Sequence, residues 1–124
     1  MKQNIYTIYV RTGDDPDAGT DSSVYFQLFG SSGQTEEILL PARDIFSFET
    51  SGTDKFILQV PDLGDLTRCC LRLEATSDGT ETRWELKDVR VEDDDTDRTW
   101  TFAFNRWLVP GSAGSETVCA ARGR

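Results

Sequence analysis

Apolar and polar residues alternate with period two along most of this chain, which is the pattern of half-buried β-strands. Tyr6, Ile8 and Val10 share one face of a first strand, and Val24, Phe26 and Leu28 one face of a second. Ile38 to Leu40 reads as a short edge strand, and Phe56, Leu58 and Val60 as the next. Cys69, Leu71 and Leu73 point inward in another, with Arg72 and Glu74 outward. Trp84 and Leu86 have one parity and Val89 and Val91 the other, so a bulge is expected near Lys87–Asp88. Trp100, Phe102 and Phe104, followed by Trp107 and Leu108, form a strongly apolar run, and core packing is the reading of all three tryptophans. Turn-rich segments separate these runs, and no stretch has a helical period with caps. About eight short strands at this spacing predict an all-β sandwich or barrel. The Gly/Ser/Ala-rich stretch 110–124 reads as a flexible C-terminal tail after a single domain over residues 1–109.

Composition narrows the function. The chain has 124 residues, 37% hydrophobic, 10% aromatic and 28% charged, enough for one solvated core. Its net charge of −9 argues against nucleic acid and against direct attraction to anionic lipid, although a divalent cation would reverse the local sign. There is no histidine, which removes Ser-His-Asp and Cys-His arrangements and the usual zinc–imidazole sites. Cys69 and Cys70 are sequence neighbours that point to opposite faces of a strand. With Cys119 they make an odd count without regular spacing, so no disulfide framework is expected. No apolar run reaches the length of a membrane span, and the N-terminus lacks a signal-peptide pattern. The expectation is a reduced, cytoplasmic chain, with peripheral membrane association as the alternative.

Three constellations invite a chemical reading. The segment 12–21 has four acids, Asp14, Asp15, Asp17 and Asp21, within eight residues, with Gly13 and Gly19 to turn it. Such a loop can present oxygens to a hard cation such as calcium; an ordinary solvated turn uses the same residues. The run 92–97 has five acids in six residues and reads as a hairpin whose carboxylates splay into water. The run 43–49 contains Ile45, Phe46 and Phe48. Phe48 is expected to pack inward, and Ile45 and Phe46 form either an inserting loop tip or a lid on the sandwich.

In order along the chain, several segments resemble the PLAT domain, also called the lipoxygenase-homology or LH2 domain. They are Tyr6 to Asp14, Ala18 to Asp21 and Val24 to Gly30; then Phe48 with Gly52 to Phe56, and Pro61 to Leu66; then Trp84 to Asp93 and Trp100 to Leu108. The resemblance covers residues 5 to 108. It implies an eight-stranded antiparallel β-sandwich of C2-like appearance. The implied role is a non-catalytic module that contacts membrane lipid or a protein partner, in some members with calcium at one end of the sandwich. Carried over residue by residue, the metal ligands would be Gly19, Thr20 and Asp21 in the first loop. Glu49 would serve in the second, and Asp78 or Glu81 in the third. The second loop departs from the family pattern at Phe46 and Ser47, and the third lacks the His-Asp-Asn-type segment of many members. Ile45 and Phe46 are the membrane or partner contacts.

Calcium-assisted lipid binding is thus one expected function, and metal-free protein–protein interaction is the other, with an acidic surface that favours a basic partner. An enzyme is disfavoured. A pair such as Asp14 and Asp21 is the right chemistry for acid and base, but no nucleophile motif, cofactor fingerprint or pocket-forming insertion accompanies it.

Overall fold

The computed structural model describes residues 3–15, 23–40, 51–75, 83–110 and 114–122. These form nine strands: β1 (Gln3–Thr12), β2 (Val24–Gly30), β3 (Gly33–Gln34), β4 (Ile38–Leu40), β5 (Thr53–Pro61), β6 (Leu66–Glu74), β7 (Trp84–Asp93), β8 (Arg98–Leu108) and β9 (Ser115–Ala121). Sheet A has the order β5-β1-β7-β8. Sheet B has the order β3-β2-β6-β9, with β4 also on β2. The ladders are antiparallel.

The alternating residues meet between the sheets. Tyr6, Ile8, Val10, Trp84, Leu86, Val89, Val91 and Phe102 from sheet A are fully buried against Val24, Phe26, Leu28, Leu66, Cys69, Leu71 and Leu73 from sheet B. Burial of this apolar surface is the main favourable term in folding. The parity switch in β7 is a real irregularity: Arg11 pairs with Asp88 but Thr12 with Leu86, so Lys87 is the extra residue. The opposing strand compensates at Asn105, whose φ of 48° lies in the left-handed region that asparagine tolerates.

Three sequence expectations change. The tail after Pro110 contains β9, which makes nine strands instead of eight. Ser115–Ala121 pairs with β6 from Glu74 to Arg68 and buries Val118 in the core. Small residues had masked a strand whose partner supplies most of the packing. The cysteines change as well. Cys70 and Cys119 are directly opposed in that ladder, with Cα atoms 4.1 Å apart, and form a disulfide, whereas Cys69 on the other face is buried and free. Strand alternation forbids a bridge between neighbours but favours one between register partners. The ground for expecting a reduced chain is therefore gone.

The third change is the acidic hairpin. Asp93 is buried and accepts from Asn4 Nδ2 at 3.1 Å and from the Asp95 N–H at 3.0 Å. Asp94 accepts from Thr7 Oγ1 at 3.0 Å, and Asp95 from the Ile5 N–H at 2.7 Å. These carboxylates therefore cap the start of β1, Asp93 from within and Asp94 and Asp95 from exposed positions, because its polar groups need acceptors there. Arg98 lies 3.9 Å from both Asp93 and Asp62, tying the hairpin to the 62–65 link.

Candidate functional site at the loop end

Four connections pass from one sheet to the other at one end of the sandwich: 13–23, 41–52, 75–83 and 109–114. The registers require this. The last residues of β1 pair with the first of β5 and β7, and the first residue of β2 pairs with the last of β4 and lies opposite Leu73 near the end of β6. Backbone hydrogen bonds then lock the stems together. The Thr12 N–H donates to Gly52 O at 3.0 Å, the Gly13 N–H to Glu85 O at 2.8 Å, and the Ser51 N–H to Gly13 O at 2.9 Å. On the other sheet, the Glu74 N–H donates to Ser23 O at 3.1 Å and the Ala75 N–H to Gly114 O at 2.8 Å.

Side chains brace the same stems. Trp84 is fully buried, and its indole N–H donates to Thr12 Oγ1 at 3.0 Å. Asp14 accepts from Ser51 Oγ at 2.9 Å and lies 3.5 Å from Lys87 Nζ. The Ser51 hydroxyl, then the Lys87 ammonium, hold the Asp14 carboxyl below its ordinary value. Gly13, Asp14, Asp15, Glu85, Lys87 and Asn105 line a polar groove beside the stems.

The sequence-derived site residues Gly19, Thr20, Asp21, Glu49, Asp78 and Glu81, together with Ile45 and Phe46, lie outside the described residues. The structure brings together the stems of the three segments that contain them. Among the described residues, no group of three or more acidic, cysteine or histidine side chains is arranged to hold a metal ion. Asp14 accepts from Ser51 and lies beside Lys87, so its carboxylate already has partners. Sequence reasoning missed the bracing pair Trp84–Thr12 and the role of Ser51. A tryptophan two residues after a loop of polar residues was the available signal.

This arrangement of strands and crossovers matches known proteins. The family profile described as "PLAT/LH2 domain" matches residues 6–120, which includes all of β9 but its last residue. The chain belongs to the PLAT/LH2 domain family. Human lipoxygenase homology domain-containing protein 1 is 37% identical over 106 residues, covering 86% of this chain and 5% of that protein. Human polycystin-1-like protein 3 is 36% identical over 105 residues, covering 84% of this chain and 6% of that protein. The chain thus spans about one-twentieth of the length of each of these two relatives. Among solved structures, a calcium-dependent 11R-lipoxygenase superposes with a TM-score of 0.69 at 27% identity, over 98% of this chain and 17% of that one. Coral 8R-lipoxygenase and Clostridium perfringens alpha-toxin share the fold, with TM-scores of 0.78 and 0.73 at 23% and 20% identity, over 97% of this chain in each case and 17% and 32% of theirs. No helix among the described residues is long and apolar enough to cross a membrane.

Proposed function

We propose that this PLAT domain is a non-catalytic binding module that associates with membrane lipid through its loop end, assisted by calcium. The observation that carries the reading is the convergence of the stems of segments 16–22, 41–50 and 76–82, locked at Thr12–Gly52, Gly13–Glu85 and Ser51–Gly13. In this reading Gly19, Thr20, Asp21 and Glu49, with Asp78 or Glu81, supply oxygen ligands, and Ile45 and Phe46 enter the interface. Calcium suits such a donor set because it takes six to eight oxygens without strict geometry. The net charge of −9 repels anionic headgroups, and a bound cation offsets it where contact is made. The solved relative described as a calcium-dependent lipoxygenase supports the same chemistry. The small share of each curated relative that the chain covers supports a second reading, docking to a protein partner or to the rest of a longer chain.

Calorimetric melting in millimolar calcium, against sodium chloride of matched ionic strength, tests the metal, since a ligand bound only by the folded state raises stability. A higher melting temperature that Asp21→Asn removes, with liposome binding reversed by EDTA, is the expected result. An unchanged melt at saturating calcium overturns the calcium reading, and calcium-independent binding to a protein with no liposome binding favours the second.

A further inference from the structure

Apart from its ladder to β6, β9 is held to the sandwich by little besides a covalent bond. It stands at the end of the strand order of sheet B, beyond β6. Of its seven residues only Val118 is buried, Ala120 packs at the core's edge, and Ser115, Thr117, Cys119 and Ala121 are exposed. Arg106 lies 3.8 Å from Glu116, and Arg122 pairs with Asp65, but ion pairs this open to solvent contribute little. Few buried apolar contacts and a ladder that faces water mark an element of low local stability. The bond that closes it is Cys70–Cys119, between register partners.

The three cysteines differ in access. Cys119 is exposed and Cys70 is buried, so a reagent reaches the bridge from the Cys119 side. Cys69 points the other way, fully buried and free, and burial pushes its thiol up in pKa, so it is inert in the closed structure. Its register partner is Ala120, and that of Leu71 is Val118, so β9 walls off this flank of β6. Without β9, the strand order leaves Cys69 on an edge, with β2 on one side and solvent on the other. The beginning of β9 also serves the loop end. Gly114 O accepts from the Ala75 N–H at 2.8 Å, and Glu116 Oε1 from the Val109 N–H at 2.7 Å.

We infer that β9 is a redox-operated strand: a dithiol reductant opens Cys70–Cys119, β9 leaves β6, the Ala75–Gly114 brace at the loop end is undone, and the Cys69 thiol is uncovered. A thiolate of the dithiol attacks Sγ of Cys119, and Cys70 departs as a thiolate. The second thiol of the reagent then displaces Cys119. One disulfide is broken in the protein and one is formed in the reagent, and the two thiol protons of the reagent end on Cys70 and Cys119. The same exchange run backwards, from a disulfide reagent, closes the strand again. β9 packs chiefly on β6 and β8, so the β5-β1-β7-β8 sheet and the β2–β6 pair stay in place while it moves.

Alkylation by iodoacetamide in EDTA, before and after treatment with dithiothreitol, tests this, with adducts located by peptide mass spectrometry. The oxidised chain should take no adduct at Cys69. The reduced chain should take adducts at each of its three cysteines, with Cys69 reacting roughly a hundredfold faster than before. The Cys70→Ser/Cys119→Ser variant, whose one thiol is Cys69, should show the same raised rate with no reductant present. Hydrogen exchange at the β9 amides and at Ala75 should speed up roughly tenfold or more on reduction, with β1 and β7 remaining slower than β9. Reoxidation by oxidised glutathione should restore the slow rates. A folded chain whose bridge dithiothreitol does not open overturns the inference. So does a reduced chain that is alkylated at Cys119 while Cys69 stays as slow as before, because the disulfide is then a staple on a strand that holds without it. Exchange in β1 and β7 as fast as in β9 overturns it too, since the bridge then holds the whole fold. None of these readouts involves calcium, so failure here leaves the calcium reading standing.

Discussion

At the scale of single residues, buried polar groups in this sandwich are matched to partners, and the matches fix geometry. No buried side-chain nitrogen or oxygen among the described residues lacks a hydrogen bond. Trp84 is the clearest case, because its ring fills the core while its N–H reaches Thr12 at the foot of the first loop. Thr12→Val keeps the shape of the threonine but leaves that N–H without an acceptor. Urea unfolding should show a loss of about 1–3 kcal/mol, the cost of stranding a buried donor. Adding Trp84→Phe should give a coupling term of the opposite sign, since the second change removes the stranded donor itself. At the opposite end, Tyr6 plays a similar part. Its hydroxyl accepts from the Leu63 N–H at 3.0 Å, and burial raises its pKa.

At the scale of elements, sequence and structure agree where a strand carries its own signal. Ile8, Phe26, Leu71 and Phe102 announce their faces through period-two alternation, and the parity switch at Lys87 is visible as a break in it. β9 was illegible for a physical reason. Ser115–Ala121 buries only Val118 fully, with Ala120 packed at the core's edge, and β6 with the Cys70 disulfide supplies most of its support. The alternation of Glu116, Val118 and Ala120, with Cys119 between them, was the available hint. The candidate site was legible only as topology: the order of strands brings three loop stems together, while the residues proposed as ligands lie outside the described residues. If β9 depends on the disulfide as much as its thin apolar contact implies, Cys119→Ser should destabilise the fold by about 2–4 kcal/mol, measured by denaturant unfolding. Hydrogen exchange should localise the loss, with amides of β9 and the outer edge of β6 losing protection before those of β1 and β7.

At the scale of the whole molecule, acid should be the damaging direction of pH. The Ser51 hydroxyl and then Lys87 hold Asp14 down, and Arg72 holds Glu37 down. A carboxyl whose folded pKa is depressed stabilises the fold fully above its unfolded value and loses that contribution as pH falls through the folded one. Unfolding free energy should therefore be nearly level from pH 7 to 5 and decline below about pH 4. The decline should be shallower in an Asp14→Asn/Glu37→Gln variant, read from denaturation curves at each pH. The direction in which the strands run has a consequence of another sort. β1 begins beside Pro61 and Asp93, and β9 finishes beside Arg68, where Arg122 pairs with Asp65; both points lie at the end opposite the four loop-end connections. A polypeptide entering and leaving here comes and goes through one doorway. Spliced into a longer chain, the sandwich would hang like a pendant from its string, its attachment at the back and its loop end turned to whatever lies in front.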